Sequence, residues 1–380
     1  MDFESNNEEF NLLYEYGIKF KNIGTKPYST NYNGLFNEIS KYSFKNKKDN
    51  IEEDATIIDS RIIIDFQMFY YYRNDYFKSD YSGLIPDNKT DDLEYFILDE
   101  IPDNLIFTCH HILYGYVLKT NTWGMFRISG IKSIHYEDNI LDKLILDEQK
   151  KYIINALIQD TILQNNEEKN IMIRKNNGKI FLLHGPPGVG KTLTAEIFAE
   201  YHKIPLYNLN IGSLGIYSSG FEEKIIEIFN LCSRWKVILL LDEADVFMEK
   251  RSKNNIKTNI IVSILLKYIE SYNGIIFLPS NRFDSIDDAF YSRITLSMLY
   301  SSLDDNARYN ILKQILNNYE NTLTDSEIKD LSKYLLNGRQ INTIIKSANS
   351  IAKQQKSPIR KDYLLIFINY IEEFNKIIAL

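Results

Sequence analysis

Eight consecutive residues have the types and spacing of a phosphate-binding loop. The stretch reads Gly185, Pro186, Pro187, Gly188, Val189, Gly190, Lys191 and Thr192. Its glycines let successive backbone N–H groups turn toward a phosphate, where no side chain could be accommodated. In this pattern the lysine reaches the outer phosphates, and the threonine hydroxyl binds Mg²⁺. The stretch and the next residue, Leu193, are therefore predicted to bind ATP together with Mg²⁺.

Two carboxylates form a second motif about fifty residues later. Asp242 and Glu243 directly follow five consecutive apolar residues, 237–241. Such a run predicts a strand buried on both faces. In open parallel sheets, ligands bind at the carboxyl ends of the strands. We therefore expect Asp242 to hold Mg²⁺ through water and Glu243 to polarise the water that attacks the γ-phosphate.

The elements around these motifs alternate in type. Apolar runs typical of strands alternate with helical patterns from residue 178 onward, which predicts a parallel sheet with crossover helices. The predicted strands are 179–183, 205–210, 236–241, 274–278 and 294–299. The remaining residues favour four helices, near 303–318, 324–336, 338–355 and 360–378. The predicted fold is thus an α/β P-loop NTPase followed by a helical lid subdomain.

The N-terminal part has a different pattern. Residues 1–50 are polar and predict loops and short elements, whereas 55–135 contain short β-rich runs, among them 95–98. A helix is predicted over 146–161, before a polar linker. The predicted domains are a β-rich α+β domain for binding a substrate or partner (1–140), a linker helix region (141–177), the nucleotide-binding subdomain (178–300) and the helical lid (301–380).

Charge and composition exclude several classes of protein. Residues 1–140 carry 14 Lys and Arg against 23 Asp and Glu, a net charge of −9, and the remaining residues carry +2. This acidity disfavours nucleic acid as a partner. No apolar stretch approaches the ~20 residues of a membrane span. The two cysteines are far apart, and the first residues lack a secretory pattern. We expect a soluble, intracellular protein, most simply a cytoplasmic one.

Two smaller patterns invite a functional interpretation. The aromatic run 69–72, followed by Arg73, could stack on bases, but the surrounding acidity favours packing or a protein-binding face. Cys109, His110 and His111 resemble part of a metal site. A structural role is favoured for them, because the sequence has no second ligand cluster.

Residues 178–355 resemble an AAA ATPase module. The resemblance is carried by three stretches, Phe181–Ala199, Leu239–Arg251 and Gly274–Ile294. More narrowly, the chain is similar to a poorly characterised group of AAA ATPases, common in fungi, with a distinctive N-terminal domain. The residues that match that domain are Ser60–Asp65, Gly115–Lys119, Trp123 and Leu146–Lys150.

The resemblance implies roles for three further residues. Asn281 falls at the sensor-1 position, where it would orient the attacking water. Arg293 falls where such modules place an arginine finger that reaches a neighbouring subunit's γ-phosphate; a surface ion pair is the alternative. Many members of the family have two arginines there, and this sequence has one. Arg339 matches a sensor-2 arginine, which would report nucleotide state by moving the lid.

The resemblance also implies assembly and work on a partner. We expect a homo-oligomeric ring, a hexamer by analogy, that remodels an unidentified protein held by the N-terminal domain. Tyr217 falls near the aromatic position of a pore loop, but serines follow it, which weakens the case for polypeptide threading. A nucleotide-gated scaffold with slow hydrolysis is the main alternative. A small-molecule P-loop kinase and clamp-loader-like action on DNA are less favoured.

Overall fold

The computed structural model describes most of the chain as two compact units. The described residues are 5–24, 26–39, 55–73, 109–166, 178–214, 220–244, 256–282 and 286–378, together with 101, 103, 106 and 248. One unit is Met1–Tyr136 and the other is Glu137–Leu380.

The first unit is built around an antiparallel sheet. Its elements are α1 (Ser5–Ile23), β1 (Tyr28–Glu38), β2 (Thr56–Ile64), α2 (Phe66–Arg73), β3 (Ile112–Val117), β4 (Thr122–Arg127) and β5 (Ile131–Lys132). The strand order is β2-β3-β4-β1-β5, and β1 also pairs with β2. The sheet therefore closes on itself, which removes the free edges of its four long strands.

The expectation of loops and short elements over 1–50 is wrong. This region holds the 19-residue helix α1 and the 11-residue strand β1. β1 is rich in polar residues, yet it pairs with β2 from Tyr28 opposite Ile64 to Phe36 opposite Thr56. Tyr32 is fully buried and packs edge-on against Phe126. Cross-strand pairing and burial of a few large rings thus override a weak local pattern. The run 95–98 lies outside the described residues.

The aromatic run 69–72 lies on α2. Phe69 is fully buried. Its ring stacks on Tyr114 at a centroid distance of 4.6 Å and meets Trp123 edge-on at 5.8 Å. Tyr71 on the same helix is exposed. At least one ring of the run therefore belongs to the core of this unit.

The second unit begins with a parallel α/β layer. Its elements are α3 (Glu148–Asn166), β6 (Lys179–His184), α4 (Lys191–Tyr201), β7 (Leu206–Asn210), α5 (Phe221–Trp235), β8 (Ile238–Asp242), α6 (Ile256–Ser271), β9 (Ile275–Ser280), α7 (Asp288–Tyr291) and β10 (Leu296–Leu299). All pairings are parallel, in the order β10-β6-β9-β8-β7. The predicted parallel sheet is confirmed.

The sheet order decides which loops meet. β9 lies between β6 and β8, so the carboxyl ends of these three strands are neighbours. The strands are held there by apolar burial; Phe181 and Phe277 are fully buried and stack at 4.8 Å across β6 and β9. The loop after β6, the carboxylates after β8 and the residue after β9 therefore share one edge.

Four helices complete the second unit, as the sequence predicts. They are α8 (Asp305–Leu316), α9 (Asp325–Leu331), α10 (Gly338–Gln354) and α11 (Lys361–Ile378). Their apolar faces form one core that includes Leu312, Leu331, Ile341, Ile345 and Leu364. None of the helices in the described part of the chain is both long and apolar enough to cross a membrane.

Candidate functional site

The phosphate-binding pattern forms a loop between β6 and α4. Gly190 caps the start of α4 with φ of 99°, a left-handed conformation that side-chain-bearing residues rarely adopt. This turn directs the first N–H groups of α4 into the loop, together with the positive end of the helix dipole. The local geometry is that of an anion-binding cradle.

Lys191 connects this loop to the end of β9. Its side chain is only 6% exposed. Its ammonium group donates to the carbonyl oxygens of Gly185 (2.8 Å) and Pro186 (2.6 Å), and to Oδ1 of Asn281 (2.9 Å). An ammonium group has three protons, and all three have an acceptor here. The charge of Lys191 is thus held between the loop and the predicted sensor residue.

The carboxylates at the end of β8 are held by short hydrogen bonds. The backbone N–H of Glu243 donates to Oδ1 of Asp242 (3.0 Å), and Nδ2 of Asn210 donates to Oε2 of Glu243 (2.6 Å). Asn210 ends the neighbouring strand β7 and pairs in register with Asp242. Glu243 itself has a φ of 55°. Asn210 is a residue that sequence reasoning missed.

Two titratable groups beside the loop have displaced pKa values. Burial lowers the pKa of His184, and the positive charges of Lys150 and Lys191 lower it further, so this imidazole is neutral at pH 7. Glu196 keeps much of its surface exposed. Partial burial of its carboxyl group raises its pKa, and the negative charge of Asp242 raises it further. The carboxyl group of Glu196 is thus close enough to Asp242 for the two to interact electrostatically.

A cleft of about 1170 Å³ extends from the phosphate loop toward the helices. Its polar lining includes the loop, Thr192, Asp242, Glu243 and Asn281. Its apolar lining includes Ile140, Leu144, Ile145, Ile311 and Ile315. A cleft with both polar and apolar groups in its lining suits a ligand with charged groups and a flat ring.

The helical subdomain contacts the loop directly. The N–H of Gly338, at the start of α10, donates to the carbonyl oxygen of Gly188 (2.8 Å). Asn337 caps α10 and exchanges two hydrogen bonds with Gln340, both 2.9 Å. Arg339 is exposed in the first turn and lines the cleft. The cleft is thus closed on one side by the predicted lid.

Comparison with known proteins identifies this α/β layer. Residues 181–301 match the model of the family "ATPase family associated with various cellular activities (AAA)". This segment is an AAA ATPase domain. Its P-loop α/β fold is the one predicted from the sequence.

Curated relatives match the chain at low identity. Spastin of Ixodes scapularis is 27% identical over 164 residues, which cover 41% of this chain and 25% of the relative. Fidgetin-like protein 1 of Drosophila melanogaster is 24% identical over 188 residues, 47% of this chain and 36% of the relative. The chain thus spans between a quarter and just over a third of the length of these relatives.

A solved structure also matches part of the chain. A crystal structure of the FIGL-1 AAA domain in complex with ADP has a TM-score of 0.49 and 16% identity, and the match covers 62% of this chain and 85% of that chain.

Arg293 has a partner within its own AAA domain. Its guanidinium pairs with Glu270 (2.6 Å) and donates to the carbonyl oxygen of Ala289 (2.6 Å). Arg293 is not among the described residues that line the cleft, whereas Arg282 and Arg339 are. Of the predicted catalytic residues, Glu243 and Asn281 are brought together in one chain and Arg293 is not.

Some predicted residues have a different outcome. Tyr217 lies outside the described residues. His110 and His111 stack at 4.7 Å, and Nδ1 of His110 accepts the N–H of Ile112. Among the residues that the structure describes, no group of three or more His, Cys, Asp or Glu could hold a metal ion.

The apolar lining of the cleft is not predicted from the sequence. Ile140 lies in a short 3-10 helix, Ile140–Lys143, which Leu144 and Ile145 follow before α3, while Ile311 and Ile315 lie on α8. Nothing in either local pattern distinguishes these side chains from ordinary core residues. Only the packing of a segment before the sheet and a helix after it brings them to the phosphate loop.

Proposed function

We propose that this chain binds ATP with Mg²⁺ in the cleft and hydrolyses it, and that copies of the chain assemble so that hydrolysis remodels a protein partner. One observation carries the proposal: the phosphate loop, Asp242, Glu243 and Asn281 line a single cleft. Lys191 bridges the loop and Asn281 within it.

Polar residues in the lining of the cleft fit a magnesium nucleotide. Thr192 offers a hydroxyl oxygen and Asp242 a carboxylate oxygen, and Mg²⁺ binds such oxygen ligands together with phosphates. The positively charged side chain of Lys191 is held at the loop by the carbonyl oxygen of Gly185. When bound, the ion would neutralise phosphate charge that develops during transfer. Thr192 and Asp242 are the residues proposed to hold it.

The hydrolytic step is assigned to two side chains that follow strands β8 and β9. Glu243 would accept a proton from the attacking water, and Asn281 would orient that water. The hydrogen bond from Asn210 leaves Oε1 of Glu243 for this task. Asn210 is therefore proposed as a positioning residue. Arg339, in the first turn of α10, would contact the phosphates from the lid side.

Assembly is proposed because Arg293 lies outside the cleft of its own chain. An arginine that stabilises the γ-phosphate of a neighbouring copy must lie outside its own cleft. The pair of Arg293 with Glu270 is partly exposed, and such pairs can be broken at small cost. The hexameric ring and the protein partner rest on the family resemblance. The N-terminal unit is the proposed site for the partner, since its acidic charge disfavours nucleic acid.

The first test is ATP turnover by the purified chain over a series of protein concentrations. We expect specific activity to rise with concentration, and Glu243→Gln to bind ATP but lose at least about a hundredfold in turnover. Lys191→Ala should lose nucleotide binding. Normal turnover in Glu243→Gln would remove this residue from the mechanism. Negligible turnover with ATP still bound would favour a nucleotide-gated scaffold.

A further inference from the structure

We infer that Tyr300 and Thr194 together brace the phosphate loop at both ends and thereby set the affinity for nucleotide. The inference rests on the proposed function, because it assigns positioning residues to the same site. Tyr300 directly follows β10, and Thr194 lies in the first turn of α4. They are more than a hundred residues apart in sequence.

Tyr300 holds the beginning of the loop through its backbone. Its N–H donates to the carbonyl oxygen of His184 (2.8 Å), the residue directly before the loop. Its carbonyl oxygen lies so close to Gly185 that a Cβ there would come within 2.1 Å of it. The first residue of the loop is therefore fixed against the Tyr300 backbone.

The Tyr300 side chain holds the end of the loop through Thr194. The two hydroxyl oxygens are 2.8 Å apart, and Oγ1 of Thr194 is 3.0 Å from the carbonyl oxygen of Gly190. A hydroxyl group has one proton. Thr194 donates that proton to the carbonyl oxygen of Gly190, which can only accept, so the hydroxyl group of Tyr300 donates to Thr194. A directed chain of two hydrogen bonds then ends on the last glycine of the loop.

Burial makes this chain rigid. Thr194 is fully buried and Tyr300 is 5% exposed, within an apolar cluster that includes Ala195 and Met298. Burial raises the pKa of Tyr300 to about 12, so its hydroxyl keeps its proton at neutral pH. A buried hydroxyl that loses its partner is not compensated by water. The alternative arrangements of the loop are therefore disfavoured.

The linker helix adds a third contact. The ammonium group of Lys150 on α3 donates to the carbonyl oxygen of Leu299 (2.7 Å) and lies 5.9 Å from the centre of the Tyr300 ring. This contact holds the strand end from which Tyr300 projects.

The expected effect is on binding rather than on chemistry. The brace formed by Tyr300 and Thr194 contacts the backbone of the loop. It contacts none of Asp242, Glu243 or Asn281. A loop that is already ordered loses less entropy when it binds phosphate. A less ordered loop should bind both ATP and ADP more weakly and should raise KM, while kcat stays within about twofold.

The experiment compares ADP affinity by calorimetry in four variants of the full chain. Tyr300→Phe and Thr194→Val each remove one hydroxyl group, and each should weaken ADP binding about five- to tenfold. Combining them should weaken binding no further than the larger single change. Thr194→Ser keeps the hydroxyl and should bind within about twofold of the wild type.

A matched control is Tyr272→Phe. Tyr272 is also buried, and its hydroxyl donates to the carbonyl oxygen of Val237 (3.2 Å), at the opposite edge of the sheet. This variant should lower the melting temperature without changing ADP affinity. Comparing it with Tyr300→Phe distinguishes the effect of losing any buried hydroxyl group from the effect of losing the contact at the loop.

The outcomes distinguish the inference from the proposed function. If the wild type does not bind ADP, the proposed function fails. If the wild type binds and Tyr300→Phe equals Tyr272→Phe in affinity, the brace is refuted. A fall in kcat at unchanged KM refutes it as well. Should Tyr300→Phe not fold, the contrast between Thr194→Val and Thr194→Ser decides, and equal affinities of these two overturn the inference.

Discussion

Glu243 combines a strained backbone with a proposed catalytic side chain. Its φ of 55° is a left-handed conformation that disfavours a residue with a Cβ by about 1–2 kcal/mol. A glycine would relieve this strain, but it would remove the carboxylate. Strain of this kind is concentrated at functional sites, where the function requires the side chain. The hydrogen bond from Asn210 then fixes a side chain that is otherwise exposed.

Replacing Asn210 tests this positioning role. Asn210→Ala should lower kcat about tenfold with little change in KM, since Glu243 would sample orientations that do not face the attacking water. Steady-state ATP hydrolysis measures both constants. Asn208→Ala, an exposed position two residues earlier on β7, is the control. Equal kcat values in the two variants would contradict the role.

His202, at the end of α4, predicts how stability depends on pH. Burial lowers its pKa from the usual 6.5 to about 4, and its Nε2 is buried without a hydrogen-bond partner. The unfolded chain binds the proton first as pH falls, so the stability contributed above pH 6.5 is lost between about 6.5 and 4. His202→Gln should lose less stability over this range. Urea unfolding at pH 7.5 and 4.5 measures the difference; parallel losses in both proteins would contradict it.

At the scale of elements, the start of α10 is coupled to the phosphate loop. Its cap residue Asn337 lies against Gly188, where a Cβ would come within 2.6 Å of the Asn337 side chain. The next residue, Gly338, donates to the Gly188 carbonyl oxygen. A displacement of the loop by nucleotide would therefore be transmitted to this helix end. The contact is a physical route from the cleft to the helical subdomain.

Removing the α10 cap should affect both stability and binding. Asn337→Ala is expected to lower the free energy of unfolding by about 1 kcal/mol and to weaken ADP severalfold. Thr324→Ala removes the equivalent capping box of α9, away from the cleft. This control should lose similar stability and keep its affinity. Thermal unfolding and calorimetry provide the two measurements, and unchanged ADP binding in Asn337→Ala would disprove the coupling.

At the scale of the whole molecule, the cleft belongs to the unit Glu137–Leu380 alone. The lining of the cleft includes cations of its own, among them Lys191, Arg282 and Arg339. Arg293 is paired with Glu270 on another surface. Cooperation between copies is therefore the one part of the proposed mechanism that requires an assembly.

Mixing two inactive variants tests this cooperation. Arg293→Ala keeps Glu243, and Glu243→Gln keeps Arg293, so a mixed assembly contains some complete sites. ATP turnover of the mixture should exceed that of either variant alone. The control mixes Arg293→Ala with the double variant Arg293→Ala, Glu243→Gln, which contains no complete site. Activity that stays flat at every mixing ratio would rule out a finger acting between subunits.

Local sequence patterns are sufficient to predict the α/β layer, the phosphate loop and the carboxylates at the end of β8. The phosphate loop and the carboxylates follow buried strands, and their backbone requirements are met by residues adjacent in sequence, such as Gly190 before Lys191. The N-terminal region was misjudged because β1 has no strong pattern of its own. Its stability comes from pairing with β2 and from burial of Tyr32.

The amino-acid sequence by itself thus determined the class of fold, the phosphate loop and the residues proposed for catalysis. Only the tertiary structure decided which distant residues meet them. The order β10-β6-β9-β8-β7 brings Asn281 to Lys191 and Asn210 to Glu243, and it places Tyr300 against both ends of the loop. Such contacts depend on long-range packing, which no spacing along the chain encodes. A loop, by contrast, is specified by the backbone preferences of its own residues.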